Sequence, residues 1–352
     1  MPKKIAIGLS GGIDSSVAAF LLKKKGYSLT AFTLKFFPQE NKCCDLDSLY
    51  QAQRLCDKLN IPHYLLDAGE LFKKEIIDYF INSYLKGLTP NPCAFCNRII
   101  KFGLFFNKIK SFGIDFLASG HYAQVVRSGG RFLLKANKDS EKTQEYFLSL
   151  LCPDILSFLV FPLADYTKKD VINIAKEEKL LFKQRQESQD VCFVTDKSYS
   201  DFIENSINNH FSYSGAIKHI NGKELARHSG IYKYTHGQRQ GLGIGWKEPL
   251  YVLSIDSDSK EVTVGERNFL KKNIFAVHSL NLFIDQGEFF AKNQEGLKVK
   301  VRYNSPKLPC RIAESAEGLT VYLREGLEYA APGQVAAFYL NGHVLGAGII
   351  GK

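Results

Sequence analysis

Lys4-Ile5-Ala6-Ile7-Gly8-Leu9-Ser10-Gly11-Gly12-Ile13-Asp14-Ser15-Ser16 is the stretch on which the fold turns. Residues 4–9 form an apolar, strand-like run, Gly11-Gly12 breaks it, and residues 13–25 read as a helix ended by Gly26. Glycine lets the backbone turn tightly and approach a ligand. A helix that starts directly after such a turn offers free N–H groups and the positive end of its dipole to an anion. Ser10, Ser15 and Ser16 can donate hydroxyls to phosphate, whereas Asp14 repels it unless Mg²⁺ lies between them. Alone, the Gly-Gly pair is a plain turn with an Asp cap; between strand and helix, the whole motif reads as a phosphate loop. No Gly-Lys-Ser/Thr follows, so it is neither a Walker loop nor a dinucleotide fingerprint.

Strand and helix go on alternating. Residues 28–34 read as a strand, 45–60 as a helix, 63–67 as a strand, 71–86 as a long amphipathic helix, 97–110 as a helix and 116–120 as a strand. Such alternation with short connections predicts a parallel sheet covered on both faces. Arg127-Ser128-Gly129-Gly130-Arg131 reads as a hairpin turn and residues 167–179 as a helix. From about residue 210 glycine becomes more frequent and helical periodicity fades. Asn221-Gly222 and Asn341-Gly342 are hairpin signals, and residues 261–264, 297–302, 320–323 and 334–339 resemble strands. Short strands at this spacing predict a small β-barrel at the C-terminus.

The bulk numbers fit this layout. A chain of 352 residues suits two or three domains, and 45% hydrophobic with 23% charged residues is ordinary for a globular protein. No apolar run spans a bilayer and no signal peptide opens the chain, so a cytoplasmic location is expected. A net charge of +10 and a pI near 9.0 suit a polyanionic partner. Without export, the eight cysteines point to redox, metal or catalytic chemistry rather than a disulfide framework.

Thr89-Pro90-Asn91-Pro92-Cys93-Ala94-Phe95-Cys96-Asn97-Arg98 holds two of them. Two prolines fix an extended approach. Cys96 is expected at the start of the helix over residues 97–110, where the helix N-terminus, Arg98 and Lys101 favour a reactive thiolate. Cys192 borders a polar loop in Ser188-Gln189-Asp190-Val191-Cys192-Phe193. Cys93, Cys96 and Cys192 are open to four readings: structural metal site, redox pair, nucleophile with partner, or buried filler. Cys56, Cys152 and Cys310 read as fillers.

The phosphate loop resembles that of the ATP pyrophosphatases, which adenylate an oxygen and release pyrophosphate. Nearly the whole chain resembles the bacterial tRNA-specific 2-thiouridylase (MnmA) family. Besides the loop, the matching stretches are Thr89-Pro90-Asn91-Pro92, Cys96-Asn97, Gly120-His121-Tyr122-Ala123, Ser188 to Phe193, Gly237-Gln238-Arg239, Arg302-Tyr303 and Pro332-Gly333-Gln334. The resemblance implies an α/β ATP-pyrophosphatase domain over residues 1–200, a central tRNA-binding domain over 201–270 and a C-terminal β-barrel over 271–352. It implies ATP, with Mg²⁺, on Gly8, Leu9, Ser10, Gly11, Gly12, Ile13, Asp14 and Ser15, with Leu34 and Gly120 beside the nucleotide. It places the target base against Asn91, Pro92 and Cys93, and tRNA against His121, Lys142, Thr143, Gln144, Arg302, Tyr303 and Gln334. Cys192 would carry a persulfide from a cysteine desulfurase or sulfur-relay protein. Cys96 would be the nucleophile in sulfur delivery, and a Cys96–Cys192 disulfide the resolved state.

The chain departs from that pattern at several places. Cys93 stands where most members have Asp, Lys142-Thr143-Gln144-Glu145-Tyr146 replaces Lys-Asp-Gln-Ser-Tyr, and His236 replaces an apolar residue. Cys93, Cys96 and Cys192 also resemble the three-cysteine set of related tRNA thiolases that hold an iron–sulfur cluster, with one iron left to bind sulfide.

Two other classes compete. An amide-forming ATP pyrophosphatase shares the loop but needs neither Cys96 nor Cys192, and a non-catalytic RNA-binding protein needs no Asp14 loop. Electrostatic grip predicts that affinity for tRNA falls steeply and log-linearly with salt. A flat slope in a filter-binding titration contradicts it.

Overall fold

Ile5-Ala6-Ile7 has no polar side to turn to water, and its segment is covered on both faces, as a central parallel strand requires. The computed structural model describes residues 2–36, 46–139, 141–180, 191–194, 198–207, 213–291, 295–328 and 330–352. Cys43, Cys44 and the Ser188-Gln189-Asp190 part of the Cys192 motif lie outside them. The chain divides into two compact units. The first comprises Met1–Ile76, Cys93–Thr195 and Gly342–Leu345; the second Ile77–Pro92, Asp196–Asn341 and Gly346–Lys352.

In the first unit lie β1 (Lys4–Gly8), β2 (Ser28–Lys35), β3 (His63–Asp67), β4 (Phe116–Ala118), the hairpin β5 (Ala123–Ser128) and β6 (Arg131–Ala136), and β7 (Leu159–Val160). The order β3-β2-β1-β4-β7 is parallel throughout. The helices α1 (Ile13–Lys24) and α2 (Leu46–Leu59) pack here, and Val17, Leu22, Leu55 and Cys56 join Ile5 and Ile7 in one core. Val171 and Ala175, from a helix described below, complete that core.

The expected helix over residues 71–86 is broken. It forms α3 (Gly69–Phe72), a π-helical turn at Lys73–Ile77, and α4 (Asp78–Leu85). Phe72, Ile76, Phe80 and Tyr84 are all buried at a spacing of four. That stripe drifts round a helix of 3.6 residues per turn, and one wider turn absorbs the drift.

The next helix starts earlier than expected. α5 (Pro92–Cys96) runs straight into a π-helical stretch, Asn97–Leu104, and then α6 (Phe105–Ile109). Pro92 is suited to a first helical position because its missing N–H would be unused there. α7 (Glu145–Leu148) and α8 (Lys168–Glu177) follow. Thr167 caps α8 reciprocally with Asp170, the side chain of each bonding the other's backbone.

The second unit contains α9 (Tyr199–Ser206) and β8 (Gly215–His219), β9 (Glu224–His228), β10 (Tyr251–Ile255) and β11 (Val262–Gly265), ordered β10-β11-β8-β9. Asn221-Gly222 turns β8 into β9, as expected. The last strands are β12 (Lys272–Leu282), β13 (Lys298–Lys300), β14 (Leu308–Ser315), β15 (Gly318–Leu327), β16 (Val335–Leu340) and β17 (His343–Ile350). They close into a six-stranded barrel in the order β12-β15-β14-β13-β16-β17, with β12 pairing back to β17. Asn341 and Gly342, both at positive φ (50° and 79°), make the tight turn between β16 and β17. Of the expected fillers, Cys56 and Cys310 are buried, and burial pushes both thiols up to about 12. Cys152 is exposed, so the filler reading fails for it. Among the described residues no helix is long and apolar enough to cross a membrane.

Candidate active site

The turn after β1 is shaped by close approaches. Leu9 N–H bonds Phe32 O at 2.8 Å, holding the strand end on β2. Gly11 has φ +71°, and a Cβ there would stand 2.4 Å from Ser48 O at the start of α2. A Cβ on Gly120, after β4, would stand 2.6 Å from Ser15 N. Only glycine fits at either position: Gly11 lets the turn meet α2, and Gly120 lets the segment after β4 meet α1. Gly12 caps α1 without a side-chain hydrogen bond, which leaves its first turn suited to an anion. Ser10 N–H donates to Ser15 Oγ at 3.2 Å, and Ser15 Oγ donates to Gly12 O at 3.0 Å. Ser16, buried like Ser15, also donates back to Gly12 O, at 2.9 Å.

Asp14 is balanced by side chains. Lys168 Nζ lies 2.6 Å from Oδ1, Tyr122 Oη donates to the same oxygen at 2.7 Å, and Lys142 Nζ lies 3.8 Å from Oδ2. Both ammonium groups also stand over the Tyr122 ring. One carboxylate sets their positions. Asp139 accepts from the backbone N–H groups of Lys168 (2.8 Å), Glu141 (2.9 Å) and Lys142 (3.2 Å). Burial pushes Asp139 up, but those three N–H groups together hold it below its usual value. With a depressed folded pKa, the interaction is present above the unfolded pKa and lost only as pH falls through the folded value. At neutral pH the turn is therefore intact. The sequence reading placed Lys168 at the start of the helix over residues 167–179 but gave it no part in the site.

A cavity opens beside the loop. Ser10, Asp14, Ser15 and Gly120 give it a polar floor, while Phe32, Leu34, Phe102 and Phe105 give it an apolar wall. Lys101, His121 and Gln144 also line it. His121 bonds Ser119 Oγ through Nδ1 at 2.8 Å. Burial, with Lys101 nearby, pushes His121 down to about 3, so it is neutral. Gln144 is tied to Tyr122 by two bonds, Tyr122 N–H to Oε1 at 2.9 Å and its own N–H to Tyr122 O at 2.7 Å.

Cys93, Cys96 and Cys192 come within electrostatic reach of one another, and Lys101 within reach of Cys93 and Cys96. Phe193 anchors Cys192 by packing edge-on against Phe72, ring centroids 5.8 Å apart. The helix N-terminus expected at Cys96 is not there. Because α5 begins at Pro92, Cys96 is its fifth residue and is buried at 7% exposure. Burial pushes its thiol up to about 12, against the pull of Lys101. Cys93 keeps a solvent-facing edge, yet burial raises it too. Among the described residues no three His, Cys, Asp or Glu side chains form a group able to hold a metal ion.

Family models described as "tRNA methyl transferase HUP domain", "tRNA methyl transferase PRC-barrel domain" and "Aminomethyltransferase beta-barrel domain" match residues 3–196, 200–266 and 272–350. The tRNA-specific 2-thiouridylase MnmA of Aquifex aeolicus is 39% identical over 358 residues, covering 99% of this chain and 98% of that protein. The one from Clostridioides difficile is 37% identical over 364 residues, covering 100% and 99%. The chain belongs to the tRNA-specific 2-thiouridylase family.

As a 2-thiouridylase family member it shows how its departures are accommodated. Glu145 accepts the hydroxyl hydrogen bond of Thr143, a position where the sequence was expected to depart from the family pattern. His236 sits between Leu253 O and Gly87 O, each 3.3 Å from a ring nitrogen, and burial lowers its pKa. Of the residues assigned to tRNA, Cys93, His121, Lys142, Thr143 and Gln144 lie in the first unit. Lys142 faces Asp14 there. Asn91, Pro92, Arg302, Tyr303 and Gln334 lie in the second. Gln334 Nε2 donates to Thr89 O (3.1 Å) and Pro90 O (3.0 Å), fixing the loop that carries Asn91. Arg302 lines a polar cleft with Lys233, Thr235 and Gln238.

Asp139→Ala should release Lys142 and Lys168 and weaken binding of inorganic pyrophosphate about tenfold, read by calorimetry. Unchanged affinity would show that the lysines need no such anchor.

Proposed function

We propose that this chain is an ATP-dependent tRNA-uridine 2-sulfurtransferase that acts on the wobble uridine. The observation that supports the reading is that Lys101 lines the cavity above the phosphate loop and lies within electrostatic reach of Cys93 and Cys96, as one site for nucleotide and thiols would require. A carbonyl oxygen is a poor leaving group. Attack of the C2 oxygen on the α-phosphorus of ATP forms an O–P bond and expels pyrophosphate. The oxygen can then depart in AMP.

The residues divide the work. The open first turn of α1, with Ser10 and Ser15, cradles phosphates, and Lys168 and Lys142 turn from Asp14 to the leaving pyrophosphate. Asp14 is a partly exposed carboxylate at the cavity floor and fits the single protein ligand that Mg²⁺ needs beside phosphate oxygens and water. When bound, that ion would offset triphosphate charge. Phe32, Leu34 and Phe105 take the adenine face. The target base must leave its stack to enter.

Sulfur reaches C2 through the cysteines. The outer sulfur of a Cys192 persulfide, loaded by a cytoplasmic sulfur-donor protein, attacks C2, and AMP leaves with the oxygen. The Cys96 thiolate then attacks Cys192 Sγ. The Sγ–outer sulfur bond breaks, its electrons stay with the 2-thiouridine, and a Cys96–Cys192 disulfide remains for an external thiol to reduce.

Cys96→Ser and Cys192→Ser should each abolish 2-thiouridine, measured by mass spectrometry of tRNA digests, while tRNA-dependent pyrophosphate release persists for at least one turnover. Product formation by the double variant would instead favour an amide-forming pyrophosphatase. Absence of pyrophosphate release from the unaltered protein would favour a non-catalytic RNA-binding protein, or the methyl transfer that the family model's description names.

A further inference from the structure

Sulfur transfer in the proposed reaction asks Cys192 to meet two partners. Its outer sulfur must meet C2 of the activated base at the nucleotide cavity, and its Sγ must then meet Cys96. A cysteine whose backbone is not held meets either one rarely, because each encounter orders the chain anew. Something must hold Cys192 beside the cavity.

Three aromatic rings do so. Val194 N–H bonds Val191 O at 3.1 Å and closes a turn around Cys192. Of the four residues 191–194, Phe193 is the buried one, while Cys192 beside it is only partly covered. The edge-on contact of Phe193 with Phe72 has an interplanar angle of 80°. Phe72 is the last residue of α3, is fully buried, and stacks on Phe36 with ring centroids 4.6 Å apart at 30°. Phe36 directly follows β2 and lines the cavity above the phosphate loop. The rings therefore run from the cavity wall to the residue after Cys192, all within the first unit. The backbone fixes the middle ring as well. Ala68 N–H bonds Lys35 O at 2.8 Å, and a Cβ on Gly69, where α3 starts, would stand 3.1 Å from Phe36 O. Consecutive Cα atoms are about 3.8 Å apart, so a ring fixed at Phe193 fixes the Cys192 backbone one peptide away. Edge-on aromatic pairs have a preferred geometry, so the contact sets direction as well as place.

We infer that Phe193 is a positioning residue of sulfur transfer: the Phe36–Phe72–Phe193 ring stack seats Cys192 against the nucleotide cavity, within reach of Cys96. Phe193 does not line the cavity itself, so it acts through Cys192. The inference rests on the sulfurtransferase reading for its purpose, but not for its direct test.

The test measures how readily Cys192 pairs with Cys96 in the full-length protein, in a Cys93→Ser background that leaves Cys96 as the one thiol of α5. In a glutathione buffer the two thiols give two electrons and two protons to glutathione disulfide, forming the Cys96–Cys192 bond and two glutathione thiols. The disulfide is quantified by mass spectrometry of peptides, without ATP or tRNA. Its equilibrium constant should fall at least about tenfold in Phe193→Ala, which loses the buried ring. It should fall about fivefold in Phe193→Leu, which keeps an apolar side chain but loses the edge-on contact. Phe72→Leu should lower it too, and the Phe72→Leu, Phe193→Leu double variant should lose less than the product of the two single losses. In Phe193→Ala, 2-thiouridine formation should fall with the disulfide constant while tRNA-dependent pyrophosphate release is retained. A constant unmoved by either Phe193 variant, single losses that simply multiply, or no Cys96–Cys192 disulfide when Phe193 is intact overturns the inference. If the unaltered protein makes no 2-thiouridine, the sulfurtransferase reading falls while the disulfide equilibrium still decides the role of Phe193.

Discussion

A carboxylate inside an anion-binding loop is the constraint that organises the first unit. Asp14 sits in the first turn of α1, where its charge suits the helix dipole but opposes a phosphate. Lys168, Lys142 and Tyr122 offset it from outside the loop. Those partners come from the strand end after β4, from the turn after β6 and from the start of α8, far apart in sequence. Asp139 binds the last two together through three backbone N–H groups, and the close approach of Gly120 to Ser15 seats the first. The parallel sheet matters because its strand ends bring these segments to one edge. That edge is where ligands settle in open α/β folds.

Burial makes the second half of the chemistry demanding. Cys96 is buried, and burial disfavours its charged form. Burial raises the thiols of Cys56 and Cys310 as well, the two buried fillers. What separates Cys96 from a filler is therefore not burial but company: Lys101, Cys93 and Cys192.

Much of this was legible in the sequence, for local reasons. The phosphate loop is contiguous, and its glycines and serines sit at fixed offsets between a strand and a helix. Asn221-Gly222 and Asn341-Gly342 announced their hairpins because a type I′ turn demands positive φ at both residues. Family motifs pointed to Cys96 and Cys192. The rest depended on information that a linear reading does not carry. The start of α5 was misplaced because two prolines suggested an extended approach, although Pro92 also suits a first helical position. Both π-helical stretches were read as ordinary helix, since a stripe at every fourth residue looks α-helical until the drift is counted. The pairing of Lys168 with Asp14 could not be read because 154 residues separate them.

The most direct test of the account follows one oxygen atom. A tRNA substrate carrying oxygen-18 at C2 of the wobble uridine is incubated with the protein, ATP and a persulfide donor, and the AMP is analysed by mass spectrometry. The account predicts one oxygen-18 in each AMP, with one pyrophosphate and one 2-thiouridine formed per AMP. Unlabelled AMP, or ADP with free phosphate in place of pyrophosphate, would contradict it.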